Sequence, residues 1–144
     1  MRTSAQSRWP WLALAVVLLW GSRPKRHKGG GHRTPGTPGK VPRVLSLAQL
    51  RELAAAAGMA DADTAAAIAM AESHGDSKAV GDNGTSIGLW QIHVPTAPKD
   101  FQNADMLKHP GFNAQAANAI SSGGTNWQPW TTYRNGAYKR YLPT

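Results

Sequence analysis

The sequence predicts an α+β fold that is mainly α, with few and short strands. Three observations lead there. Two alanine-rich stretches, residues 46–58 and 61–75, carry helix-end residues in the right places, and a third helical stretch starts at Asn113. Between them lies the turn-dense "GDNGTSIGLWQIH", residues 81–93.

The first helix is marked at both ends. Ser46 with Gln49 three residues on forms a capping box, and Leu45 with Leu50 fits the hydrophobic staple. Leu47, Leu50, Leu53 and Ala57 recur on one face, and Gly58 suits the position just past the end. The second helix runs from Asp61 or Asp63, both N-cap candidates, to His74, with Gly75 as its stop. Alanine favours helix and lets helices approach closely. Asp82-Asn83-Gly84 carries turn chemistry, followed by short extended pieces around Ile87 to Ile92. "VPTAPKD" reads as loop. The third helix, "NAQAANAIS", takes Asn113 as N-cap and Gly123-Gly124 as stop, and a last helical stretch covers Tyr133 to Tyr141.

Charge divides the chain. Of 144 residues, 1–43 hold nine of the sixteen Lys and Arg and no acid, whereas 44–144 hold seven bases against all eight acids. The net charge of +8 therefore belongs to the N-terminal part. Binding to duplex nucleic acid needs clustered Lys and Arg, so the C-terminal part is not expected to bind nucleic acid specifically. With no cysteine there are neither disulfides nor thiolate metal sites.

Three segments follow: an apolar leader (1–22), a basic Gly/Pro-rich linker (23–43) and a folded domain (44–144). As a helix, the thirteen apolar residues Trp9 to Gly21 would span about 20 Å, short of a hydrocarbon core of about 30 Å. That length suits an export or membrane-associating leader; an apolar tail used in packaging or assembly is the other reading. No small-x-small cleavage site follows, and "RPKRHK" places positive charge on the far flank. The linker has too little to bury to offset its ordering entropy. It is a solvated spacer, or it holds the chain near an anionic surface.

Glu72 is the residue to explain, one of only two glutamates in the chain. It falls in the last turn of the second helix, where the carbonyls leave roughly half a negative charge. It also shares a face with Ile68 and Ala65. Burial and the helix dipole both disfavour the anion, so the carboxyl should titrate high and could serve as a general acid. A partly exposed carboxylate paired with Lys78 is the alternative.

The residues around it carry a resemblance. "AMAESHGD" followed by "GDNGTSIGLWQIH" resembles the lysozyme-like domain of soluble lytic transglycosylases and goose-type lysozymes, in a short actinobacterial or phage version. In that family a helix ends in Glu-Ser, and a Gly-Leu-hydrophobic-Gln-hydrophobic segment follows about fifteen residues later. Here these are Glu72-Ser73 and Gly88-Leu89-Trp90-Gln91-Ile92. "HPGFNAQAANAI" is similar to the family's Asn-headed helix through Asn113. "WTTYRNGAYKRYL" is similar to its late tyrosine segment, with Tyr133 the nearest equivalent. The usual Tyr-Asn pair followed by Gly is interrupted here by Arg134. The resemblance covers about residues 46–141.

It implies a peptidoglycan-cleaving enzyme with Glu72 as catalytic acid and base at the glycosidic bond between N-acetylmuramic acid and N-acetylglucosamine. Ser73, Asp82, Gln91, Asn113 and Tyr133 are the implied substrate-site residues. Asp82 is either a water-positioning carboxylate or only the Asp of its turn. Ser73 and Gln91 have turn and β-segment hydrogen bonding as alternatives, and Trp90, Trp127 and Trp130 are expected in the core. His74, His93 and His109 lack zinc-site spacing, so no metal and no cofactor is expected. The chain is expected to be a monomer at the cell envelope, secreted or membrane-associated, or in a virion if viral. A non-catalytic wall-binding or virion module with the same fold is the competing expectation.

Overall fold

A computed structural model describes residues 42–144; the leader and all of the linker but Pro42 and Arg43 lie outside the described residues. Helix α1, Leu47–Ala56, has both bonds of the capping box, with Ser46 Oγ accepting from Gln49 N–H and Gln49 Oε1 accepting from Ser46 N–H. Its inner face is centred on Leu50 and Ala54, while Leu47, Leu53 and Ala57 pack at the margin. Leu45 and Leu50, the staple pair, both join the core. Helix α2, Ala62–Ser73, is capped by Asp61 through Thr64 N–H at 2.9 Å. His74 lies past its end, in the left-handed conformation (φ 54°), as the C-cap.

α2 is not amphipathic. Ala65, Ala66, Ala67, Ile68 and Ala69 are all fully buried, so the middle of the helix is sheathed on every side and only its first and last turns reach solvent. Alanine permits this, because its small side chain lets neighbours close in around the backbone. The chain entering α1 is stitched to the segment leaving α2. Leu45 N–H donates to Gly75 O (2.9 Å), Ser77 N–H to Arg43 O (2.8 Å), and Arg43 grips Asp76 through two nitrogens. A side chain on Gly75, whose φ is 79°, would collide with Leu45 O.

The turn-dense stretch forms a three-stranded antiparallel sheet in the order β1-β2-β3: Val80–Gly81, Ser86–Ile87 and Ile92–His93. Its register pairs Val80 with Ile87, Ser86 with His93 and Ile87 with Ile92. The sequence reading did not foresee the first strand. "VPTAPKD" contains two single 3-10 turns rather than plain loop.

Helix α3 spans Pro110–Ile120 and corrects the expected start. Proline at the first helical position needs no N–H partner and presets φ, so the helix begins three residues before Asn113. Asn113 is thereby inside the helix and fully buried. Its Oδ1 accepts from Trp90 N–H, and its Nδ2 donates to Ile87 O and Leu107 O, each at 2.9 Å. The expected last helix is also corrected. Helix α4 is Thr131–Arg134, and a 3-10 helix, Ala137–Tyr141, follows after Gly136 (φ 77°) breaks the run.

Trp90, fully buried, is the junction of these pieces. Its backbone N–H is held by Asn113 and its indole N–H donates to Ala65 O of α2 at 2.9 Å. Its carbonyl accepts from the Trp130 indole at 2.8 Å, just before α4. Replacing Asn113 by Ala strands one buried N–H and two carbonyls, each worth about 1 kcal/mol or more. Asn113→Ala is expected to lower the unfolding free energy by about 3 kcal/mol. Urea denaturation checks this; a midpoint equal to wild type would show those three groups are not sealed from water.

Candidate active site

The sheet, the last turn of α2 and the segment around α4 enclose a cavity of about 610 Å³. That falls within the range of small-ligand clefts, roughly 300–1,000 Å³. Glu72 lies on its wall with Asp82, Gln91, His93, Trp130 and Thr132. The Thr132 hydroxyl donates to Glu72 Oε1 at 2.6 Å, joining residues sixty apart in sequence. This is the short distance of a hydroxyl bonded to a carboxylate.

Glu72 is half-buried, and loss of water is the main cause that pushes its carboxyl above the ordinary carboxylate range. The Thr132 hydroxyl and backbone both favour the anion and pull the other way, while the negative charge of Asp82 adds to the rise. Burial wins. Among the described residues Glu72 has no ion pair, so the alternative of a pairing with Lys78 is not met. Lys78 instead donates its backbone N–H to Asp76, which Arg43 and that N–H hold below the usual range.

Asp82 reaches the cavity from a strained turn: Asp82 (φ 47°) and Asn83 (φ 54°) both adopt the left-handed conformation. Its carboxylate accepts from Ser86 Oγ at 2.5 Å, which ties the turn to β2. Gln91, also left-handed at φ 45°, lines the cavity and donates Nε2 to Gly88 O at 2.9 Å. A side chain on Gly81 would meet Gln91 Oε1 and push the Gln91 side chain out of its present place.

Three expected site residues stand elsewhere. Ser73 is buried and donates its hydroxyl to Ala69 O in its own helix. Asn113 spends its amide on the Trp90 junction. Tyr133 stacks on Tyr138 (centroids 5.0 Å apart) and is not on the cavity wall; its neighbour Thr132 is. Trp90 and Trp127 pack in the core as expected, and Trp130 packs there while showing an edge to the cavity. His93 Nδ1 lies 2.9 Å from Thr96 Oγ1 on the wall, whereas His74 and His109 are on the surface at helix ends. Among the described residues no group of three or more His, Cys, Asp or Glu is gathered as a metal site. No helix among them is long and apolar enough to cross a membrane.

The sequence reading missed Thr132. It lies within the segment that was singled out, but only the fold shows which of Thr131, Thr132 and Tyr133 meets the glutamate. A family model described as "Lysozyme like domain" matches residues 51–132, from α1 to the threonine that touches Glu72. The chain belongs to the lysozyme-like domain family. The mainly helical fold with its small antiparallel sheet agrees with that membership, which points to a peptidoglycan-related activity. No curated protein and no solved structure matched the chain.

In this lysozyme-like domain the raised Glu72 carboxyl carries a cost in stability with a defined sign. The folded form holds the proton more tightly than the unfolded chain, so stability falls as pH rises from about 4.5 through the raised value, and the cost is complete above it. Glu72→Gln keeps an oxygen that accepts from Thr132 and removes the charge. It is expected to melt higher than wild type at neutral pH, the two curves converging below pH 4.5. Melting temperatures across pH decide this; a variant that melts lower at neutral pH would contradict it.

Proposed function

We propose that this chain cleaves the glycan strands of peptidoglycan at the β-1,4 bond between N-acetylmuramic acid and N-acetylglucosamine, with Glu72 as the proton donor. One observation carries the reading: a half-buried carboxyl, raised by loss of water and tied to Thr132, on the wall of a cavity large enough for a sugar. A carboxyl that keeps its proton towards neutral pH can hand it to the glycosidic oxygen as the bond breaks.

The departing sugar takes the Glu72 proton and leaves positive character on the anomeric carbon, which the substrate's own acetamido oxygen supports. Glu72, now an anion, acts as base on the group that attacks. In the transglycosylase course that group is the muramoyl C6 hydroxyl, and the product is a 1,6-anhydro sugar. In the hydrolase course it is a water, which Asp82, a residue lining the same cavity, orients. Gln91 and the Trp130 edge supply a polar and an apolar contact for the sugar. The activity belongs at the cell envelope, where its polymer is.

Glu72→Gln is expected to slow release of soluble fragments from purified peptidoglycan by roughly 10²–10⁴-fold, the usual contribution of a general acid. Equal release by the variant would remove Glu72 from the chemistry. Walls bound but left intact by both forms would mark a binding module. Mass spectrometry of the fragments separates the two courses, anhydro ends being lighter by one water.

A further inference from the structure

We infer that Thr132 is the positioning residue for the Glu72 proton: its hydroxyl occupies Oε1 and leaves the acidic hydrogen on Oε2, free to be delivered. The inference rests on the reading of Glu72 as proton donor and adds the residue that aims it.

A protonated carboxyl has one oxygen bearing hydrogen and one that only accepts. If the Thr132 hydroxyl donates to Oε1, the acidic hydrogen must sit on Oε2. The reverse arrangement, hydrogen on Oε1 and the threonine accepting, would spend the proton on a protein neighbour. Two features favour donation by Thr132. Thr132 Oγ1 is the donor and Glu72 Oε1 the acceptor in the structure, at 2.6 Å. Two other acceptors on the same segment, Gln128 O and Thr131 Oγ1, are both engaged by the Arg134 guanidinium, at 2.5 and 2.8 Å. Arg134 thus holds the start of α4 in place while the threonine hydroxyl is directed at Glu72. The same bond persists after the proton has left and stabilises the anion that remains, so it eases departure as well as aiming it.

Other charged groups near α2 are accounted for. Asp82, from the turn after β1, acts on Glu72 in the opposite sense to Thr132. His93, from β3, faces the cavity from another wall and has its Nδ1 against Thr96. On α1, Arg51 is paired with Asp63 of α2, and Glu52 is exposed. From the C-terminal 3-10 helix packed on α2, Lys139 and Arg140 are exposed, Arg140 lies over the Tyr141 ring, and Tyr138 stacks on Tyr133. None of them hydrogen-bonds Glu72 among the described residues.

The test uses the full chain as wild type, Thr132→Val, Thr132→Ala and Thr132→Ser, each first checked for folding by circular dichroism. The Glu72 carboxyl carbon is titrated by NMR, and release of soluble fragments from purified peptidoglycan is followed against pH. Removing a donor to the anion should move the Glu72 midpoint upward in the Val and Ala forms. The basic limb of the rate profile should move with it, and turnover at the wild-type optimum should drop roughly tenfold, the worth of one such bond. Thr132→Ser should follow wild type in both. An unmoved midpoint in Val and Ala, or a serine form that behaves like valine, overturns the assignment. A shifted midpoint in a chain that releases nothing even as wild type sinks the enzymatic reading and leaves the proton geometry standing.

Discussion

Everything at the cavity depends on how one indole is held. Trp90 sits at the turn between β2 and β3, and three different parts of the chain bond it: Asn113 of α3 at its N–H, Ala65 of α2 at its ring and Trp130 at its carbonyl. Such bonds lie in a buried site, where an unmade bond is expensive and a made one fixes direction. Through Trp130 the junction sets where α4 begins, and the second residue of α4 is Thr132. Glu72 at the end of α2 and its hydroxyl partner Thr132 are thus located from one fixed point, although they are sixty residues apart.

The glutamate itself is a balance of opposed effects. Partial burial alone would hold its proton firmly, and a hydroxyl donor alone would strip it. Both act on the same carboxyl, burial is the larger, and the negative charge of Asp82 adds a little to retention. A group poised in this way can donate and then accept within one cycle, as both courses of glycosidic cleavage demand. The cost falls on the stability of the folded chain, which is common where a site is built for chemistry rather than packing.

What depends on neighbours in sequence was legible, and what depends on distant ones was not. The capping box at Ser46 and Gln49 and the cap at Asp61 are short-range geometry, and both are present. So is the carboxyl raised by burial, because Glu72 comes at the end of a helix that had to be interior. Asn113 was misjudged for a physical reason: asparagine is a favoured N-cap, but Pro110 starts the helix earlier and the amide serves a junction twenty-three residues away. The final helix was read as one although Gly136, left-handed in the fold, carries the same stop signal as Gly58 and Gly75. Thr132 carried no local signal at all. Its role exists only where α4 meets α2, and the family resemblance points to the neighbouring Tyr133 instead.

Gly88 makes a wider point about such chains. At φ 80° it passes so close to Leu107 and to the Asn113 amide that any side chain would displace the junction from within. Leu89 and Trp90 beside it are entirely interior. The most recognisable stretch of the chain is therefore a demand of architecture, and a relative with this fold would have to keep it whether or not it is an enzyme. Judging whether a related sequence is an active enzyme should turn on the acid and the hydroxyl that faces it, since those two could be lost without harming the scaffold.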